Sequence, residues 1–188
     1  MDRNARTFAL AILFEAGLGF AGVALAEWAG LSLQSRLEVT PAAVARGLLA
    51  SLPMLAGLVV LTHCPWSPIA RLQRQVEGIV REVFAESRWF ELALICLAAG
   101  LGEELLFRGA LQPWVGKWTP PAVALATVSL LFGAAHAMSA AYFVAATLIG
   151  LYFGWLTMAF NDLVAPIVAH ALYDFVAILY LQHQVRQV

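Results

Sequence analysis

The sequence predicts an all-α integral membrane protein: a polytopic bundle of about six transmembrane helices with one amphipathic helix on the membrane surface. Three observations predict it. The chain of 188 residues is 62% hydrophobic, with a mean hydropathy of +0.80. Only 12% of its residues are charged, against about 25% in an average soluble domain. Apolar stretches near the span length of about 20 residues follow one another with short connections.

The first span runs from about Thr7 to Trp28. Arg3 and Arg6 precede it, and Ala24-Leu25-Ala26 has the form of a signal-peptide cleavage site. Glu15 interrupts the apolar run, which is also long for a signal peptide, so an uncleaved anchor is expected. Glu15 then either faces the bundle or snorkels to the interface. The second span covers about Ala43 to Leu61.

Between Cys64 and Trp89 lies the longest polar stretch. Ile69, Leu72, Val76, Ile79, Val80 and Val83 recur there at helical spacing, while Arg71, Arg74, Arg81 and Glu82 fill much of the remainder. That pattern suits a helix lying on the membrane surface, or a solvated connecting helix. The third span runs from about Phe90 to Val115. The fourth follows Pro120 and Pro121 and reaches His136, the fifth covers Ala140 to Phe160, and the sixth Leu163 to Leu181. Trp28, Trp66, Trp89, Trp114 and Trp118 fall near span ends, where interfacial anchors belong. One domain, 1–188, is expected, with N-terminal spans and surface helix over 7–89 and a motif-bearing core over 90–181.

A cytoplasmic N-terminus puts Arg3, Arg6, Arg71, Arg74, Arg81, Arg88 and Arg186 inside, and Arg36, Lys117 and Arg46 outside, in accord with the positive-inside rule. In that arrangement Glu103 and His170 fall nearer the outer face than His136, so a tilted or broken helix is required to bring them together. The net charge of −1 offers nothing to nucleic acid, so the expected partners are the lipid bilayer and a membrane-associated protein or peptide. Cys64 and Cys96 are too few for a disulfide framework and read as free thiols.

Ionisable side chains within spans are expensive and mark function. Glu103, Glu104 and Arg108 lie in LAAGLGEELLFRGAL, His136 in LLFGAAHAM, and His170 with Asp174 in IVAHALYDF. Successive helical residues point about 100° apart, so Glu103 and Glu104 address different neighbours. Glu104 and Arg108 have the i,i+4 order of an ion pair, which lowers the cost of an arginine in the bilayer. Glu103 has Phe107 at that spacing, leaving it as the chemical group, a general base with His136 and His170 converging on it. His170 and Asp174, again i,i+4, share a face from which an oxyanion can be held.

Together EExxxR (Glu103, Glu104, Arg108), FxxxH (Phe132, His136) and HxxxD (His170, Asp174) resemble the CPBP family. These are the CAAX-protease and bacteriocin-processing intramembrane endopeptidases, also called Abi proteins, with the type II CAAX prenyl endopeptidase as a relative. The resemblance spans about Phe90 to Val176. It implies Glu103 as general base, His136 as its helper in activating water, and His170 with Asp174 at the oxyanion. Phe132, Glu104 and Arg108 become supporting residues, and no metal or other cofactor is expected. It also implies a bacterial inner (plasma) membrane protein. Asp174 departs from the prenyl endopeptidase, which has asparagine there, and an ionised Asp174 would repel an oxyanion.

The expected activity is cleavage of a membrane-associated substrate near its C-terminus: a CAAX-like tail, a bacteriocin precursor or a C-terminal sorting signal. One alternative is a zinc peptidase with Glu103, His136 and His170 as ligands, although a compact two-histidine motif is missing. Another is a non-catalytic immunity or partner-binding protein whose ionisable cluster only holds helices together. Gly150 and Gly154 form GxxxG, expected to mark a close helix contact within the bundle.

Overall fold

The computed structural model describes residues 3–187. Residues 1, 2 and 188, the ends of the expected single domain, and the side chain of Arg3 lie outside the described residues. The architecture is an all-α bundle with no strand among the described residues. In chain order the helices are α1 (Arg3–Trp28), α2 (Pro41–Thr62), α3 (Ser67–Ile79), α4 (Trp89–Glu104), α5 (Gln112–Val115), α6 (Pro121–Ala135), α7 (Ala140–Phe160) and α8 (Val164–Arg186). A π-helical turn, Val80–Phe84, extends α3. A second, Leu105–Leu111, joins α4 to α5 without a break.

Helices α1, α2, α7 and α8 are each long and apolar enough to cross a bilayer. Helix α4, the π stretch and α5 make one continuous helix over residues 89–115, about 40 Å long at 1.5 Å per residue and so long enough for a further crossing. The expected fourth span differs. Helix α6 has 15 residues, so it rises about 22 Å and stops short of the roughly 30 Å hydrocarbon core. The bounds of α6 are those expected, from Pro121 to the C-cap His136.

Local chemistry sets the boundaries. Thr40 caps α2 by accepting from the Ala43 N–H at 3.1 Å, with Pro41 at the first helical position. Ser139 does the same for α7 through the Tyr142 N–H. Helix α7 ends at Asn161 in the left-handed region (φ 50°), where asparagine is tolerated. Arg71, Arg74 and Arg81 are exposed on α3, whereas Val80 is buried against the bundle, so the amphipathic division read from the sequence is present. Trp28, Trp66, Trp89 and Trp118 are all well exposed at helix ends, as interfacial anchors are.

Glycines allow α1 and α4 to touch through their backbones. A Cβ on Gly22 would lie 2.6 Å from the Leu106 nitrogen and 2.7 Å from the Leu105 carbonyl carbon, and one on Gly102 would strike the Glu15 carbonyl oxygen. Gly17, on the same helix, has open space around it. Gly22→Ala is expected to cost about 1–3 kcal/mol by overpacking, whereas Gly17→Ala is neutral or stabilising. Thermal melts of the two variants in detergent check this; equal melting temperatures would refute the backbone contact.

Candidate active site

The site forms where α4 passes its π stretch. Glu103 and Glu104 are adjacent yet both buried, 8% and 0% exposed, because they face different neighbours. Glu103 points at His136, with 3.6 Å between its Oε2 and the His136 Nε2. That separation is long for a direct hydrogen bond, and the buried Oε2 has no hydrogen-bond partner among the described residues. His136 Nδ1 lies 2.8 Å from the Phe132 carbonyl oxygen, so it carries the proton and donates there. Nε2 is then the free acceptor of the neutral ring, or a second donor when the ring is charged. Phe132 also stacks on the His136 ring, with centroids 4.4 Å apart.

Glu104 holds two partners with one oxygen. Its Oε1 accepts from Arg108 Nη1 at 2.9 Å and lies 2.9 Å from His170 Nδ1. Arg108, 1% exposed, also donates to the Gly150 carbonyl at 3.0 Å and places its guanidinium 4.4 Å from the Phe132 ring centre. The Glu104–Arg108 pair expected from the spacing is present. His170 is the correction: its bond goes to Glu104 instead of converging on Glu103. Its other nitrogen, Nε2, lies 3.3 Å from Asp174 Oδ2. An imidazole facing a carboxylate at each nitrogen satisfies both only as an imidazolium with two N–H donors.

Other residues complete the site, and of these Phe153 had no sequence signal to single it out. Phe153 stacks on His170 at 4.8 Å and 19°. The Gly150 carbonyl takes the Arg108 proton, and one turn on, the Gly154 carbonyl takes Gln112 Nε2 at 3.2 Å. The GxxxG spacing pointed to this close contact: a Cβ on Gly150 would press on Ser129 at 3.2 Å, and one on Gly154 would meet Gln112 Oε1 at 2.6 Å. On α1, Glu15 has a buried Oε2 without a partner and faces the bundle rather than the interface.

The site has one open flank. The side chains of His136 and Asp174 remain 29% and 32% exposed, whereas those of Glu104 and Arg108 are sealed. A depression of about 280 Å³, lined by Ala134, Ala135, His136, Ala137, Met138 and Tyr142, adjoins His136. The opposite flank is closed by the connection between α1 and α2: Arg36 Nη2 donates to the Arg108 carbonyl, and the Arg36 carbonyl accepts from the Leu163 N–H at 2.7 Å. Zinc would need Glu103, His136 and His170 to share one ion. Among the described residues no three such side chains are so placed, and both His170 nitrogens already face carboxylates.

Residues 85–176 match a family model, Type II CAAX prenyl endopeptidase Rce1-like. That segment is similar to the Rce1-like family. The Rce1-like segment contains Glu103, Glu104, Arg108, Phe132, His136, His170 and Asp174, in accord with the CPBP resemblance of the three motifs, and it implies a protease, a hydrolase of peptide bonds in a membrane protein. Helices α1 and α2 lie outside it. No curated protein and no solved structure matches the chain.

Proposed function

We propose that this protein is a glutamate-dependent intramembrane endopeptidase that hydrolyses a peptide bond with an activated water and no metal. One observation carries the proposal: a buried carboxylate oxygen of Glu103 left free of protein donors, 3.6 Å from an imidazole nitrogen, beside the open flank. The 3.6 Å separation suits a bridging water, which gives a proton to Glu103 as it attacks the substrate carbonyl. Glu103 passes the proton to the leaving amine. His136 orients the water and shares the charge.

The Nε2–H of His170 is the donor for the developing oxyanion, with Asp174 holding it until the substrate carbonyl arrives. Glu104 keeps that ring in place from the other side, and Arg108 balances Glu104. An amide at position 174 can donate where an ionised carboxylate cannot. Asp174→Asn is therefore expected to retain activity within about ten-fold, while Asp174→Ala loses about 100-fold in turnover. Steady-state kinetics check the pair, and an inactive Asp174→Asn protein would show that a negative charge there is required.

We infer that the protein resides in a bacterial plasma membrane. The end that carries Arg6, Arg71, Arg74, Arg81 and Arg186 then faces the cytoplasm. Substrates are membrane-associated proteins cut near the C-terminus: a CAAX-like tail, a bacteriocin precursor or a sorting signal. The test is purified protein in detergent with membrane-anchored quenched peptides, products read by mass spectrometry. Cleavage that persists in EDTA supports the proposal. Cleavage abolished by EDTA and restored by zinc would overturn it.

A further inference from the structure

We propose that Glu15, on α1 and outside the Rce1-like segment, is a specificity residue whose carboxylate receives a cationic side chain of the peptide substrate. This rests on the peptidase function and names a chemical class of substrate for it.

Glu15 reaches the site because α1 and α4 pack backbone to backbone. Its carbonyl lies against Gly102, the residue before Glu103, and Gly19 lies on Gly102 one turn further on. Among the described residues Glu15 makes no side-chain hydrogen bond or salt bridge, and its Oε2 is shielded from solvent. A carboxylate placed inside a membrane helix needs a partner to offset its desolvation. The backbone contact with Gly102 sets Glu15 beside the helical turn that carries Glu103. Arg108, the nearby guanidinium, is committed to Glu104, Gly150 and the Phe132 ring.

Charge then decides what the open flank accepts. Ionised together, the carboxylates of Glu15, Glu103, Glu104 and Asp174 outnumber Arg108 and two protonated imidazoles by one charge. A substrate that brings a carboxylate to this flank is repelled, whereas a lysine or arginine supplies the donor that Glu15 Oε2 lacks. Glu103 itself is 8% exposed and also has an unpartnered oxygen, so the two acids divide the work, one for the reacting water and one for the substrate cation.

The experiment is equilibrium binding to purified Glu103→Gln protein in detergent, which separates binding from cleavage. Three fluorescent amphiphilic peptides with amidated C-termini differ only in a central Lys, Ala or Glu. The Lys peptide is expected to bind about ten-fold more tightly than the Glu peptide, with Ala between. Adding Glu15→Gln should bring the three within about two-fold of one another, while Glu15→Asp keeps the order. Equal binding by all three, no binding by any, or a lysine preference that survives Glu15→Gln overturns the proposal. Lysine-selective binding without cleavage by the wild-type protein would count against the peptidase function and leave the cation subsite standing.

Discussion

Replacing Glu103 with glutamine is expected to lower peptide hydrolysis at least about 100-fold while leaving the melting temperature unchanged or raised. The two halves of that result have separate causes. Glutamine has the size of glutamate and cannot take a proton from water, so the general base is lost. Glu103 Oε2 makes no hydrogen bond in the protein, so its removal breaks none and relieves a buried charge of its desolvation. Single-turnover kinetics with a quenched peptide, beside a melt of the same sample, check both. An active Glu103→Gln protein would refute the catalytic role of this residue.

Glu104→Ala is expected to do the reverse, acting on stability first. Arg108 and Glu104 are sealed from solvent, and one carboxylate oxygen serves both the guanidinium and His170. Deleting one partner of a buried pair leaves an uncompensated charge and costs about 3–5 kcal/mol. In a chain of this size that is a fall of about 10 °C in melting temperature. Arg108→Lys is not expected to be conservative, because a point charge cannot serve Glu104, the Gly150 carbonyl and the Phe132 face together. The double variant Glu104→Met, Arg108→Met should recover much of the stability without activity, since apolar side chains of similar volume replace such pairs well. A Glu104→Ala protein that melts with the wild type would show that the pair does not hold the bundle. If Glu103→Gln is silent while Glu104→Ala unfolds the chain, the cluster is structural and the protein a binding or immunity protein.

Much of this was legible in the sequence. Low charge, apolar runs of span length and terminal tryptophans determined an all-α membrane bundle, because the bilayer admits few other solutions. Spacing determined two side-chain pairs, Glu104 with Arg108 and His170 with Asp174, because residues four apart on a helix share a face. The three motifs together pointed to an Rce1-like core, which the family match over residues 85–176 supports.

Tertiary structure decided what spacing along single helices cannot encode. Only packing shows that His170 bonds to Glu104, since the direction of a side chain across helices depends on their rotation and depth. The sequence placed the end of α6 at His136, but only packing shows that this end meets Glu103, at 3.6 Å. Glu15 is the clearest instance: by sequence it faces either the bundle or the interface. The glycine contact between α1 and α4 turns it toward the site, because only a residue without Cβ allows two backbones to come so close.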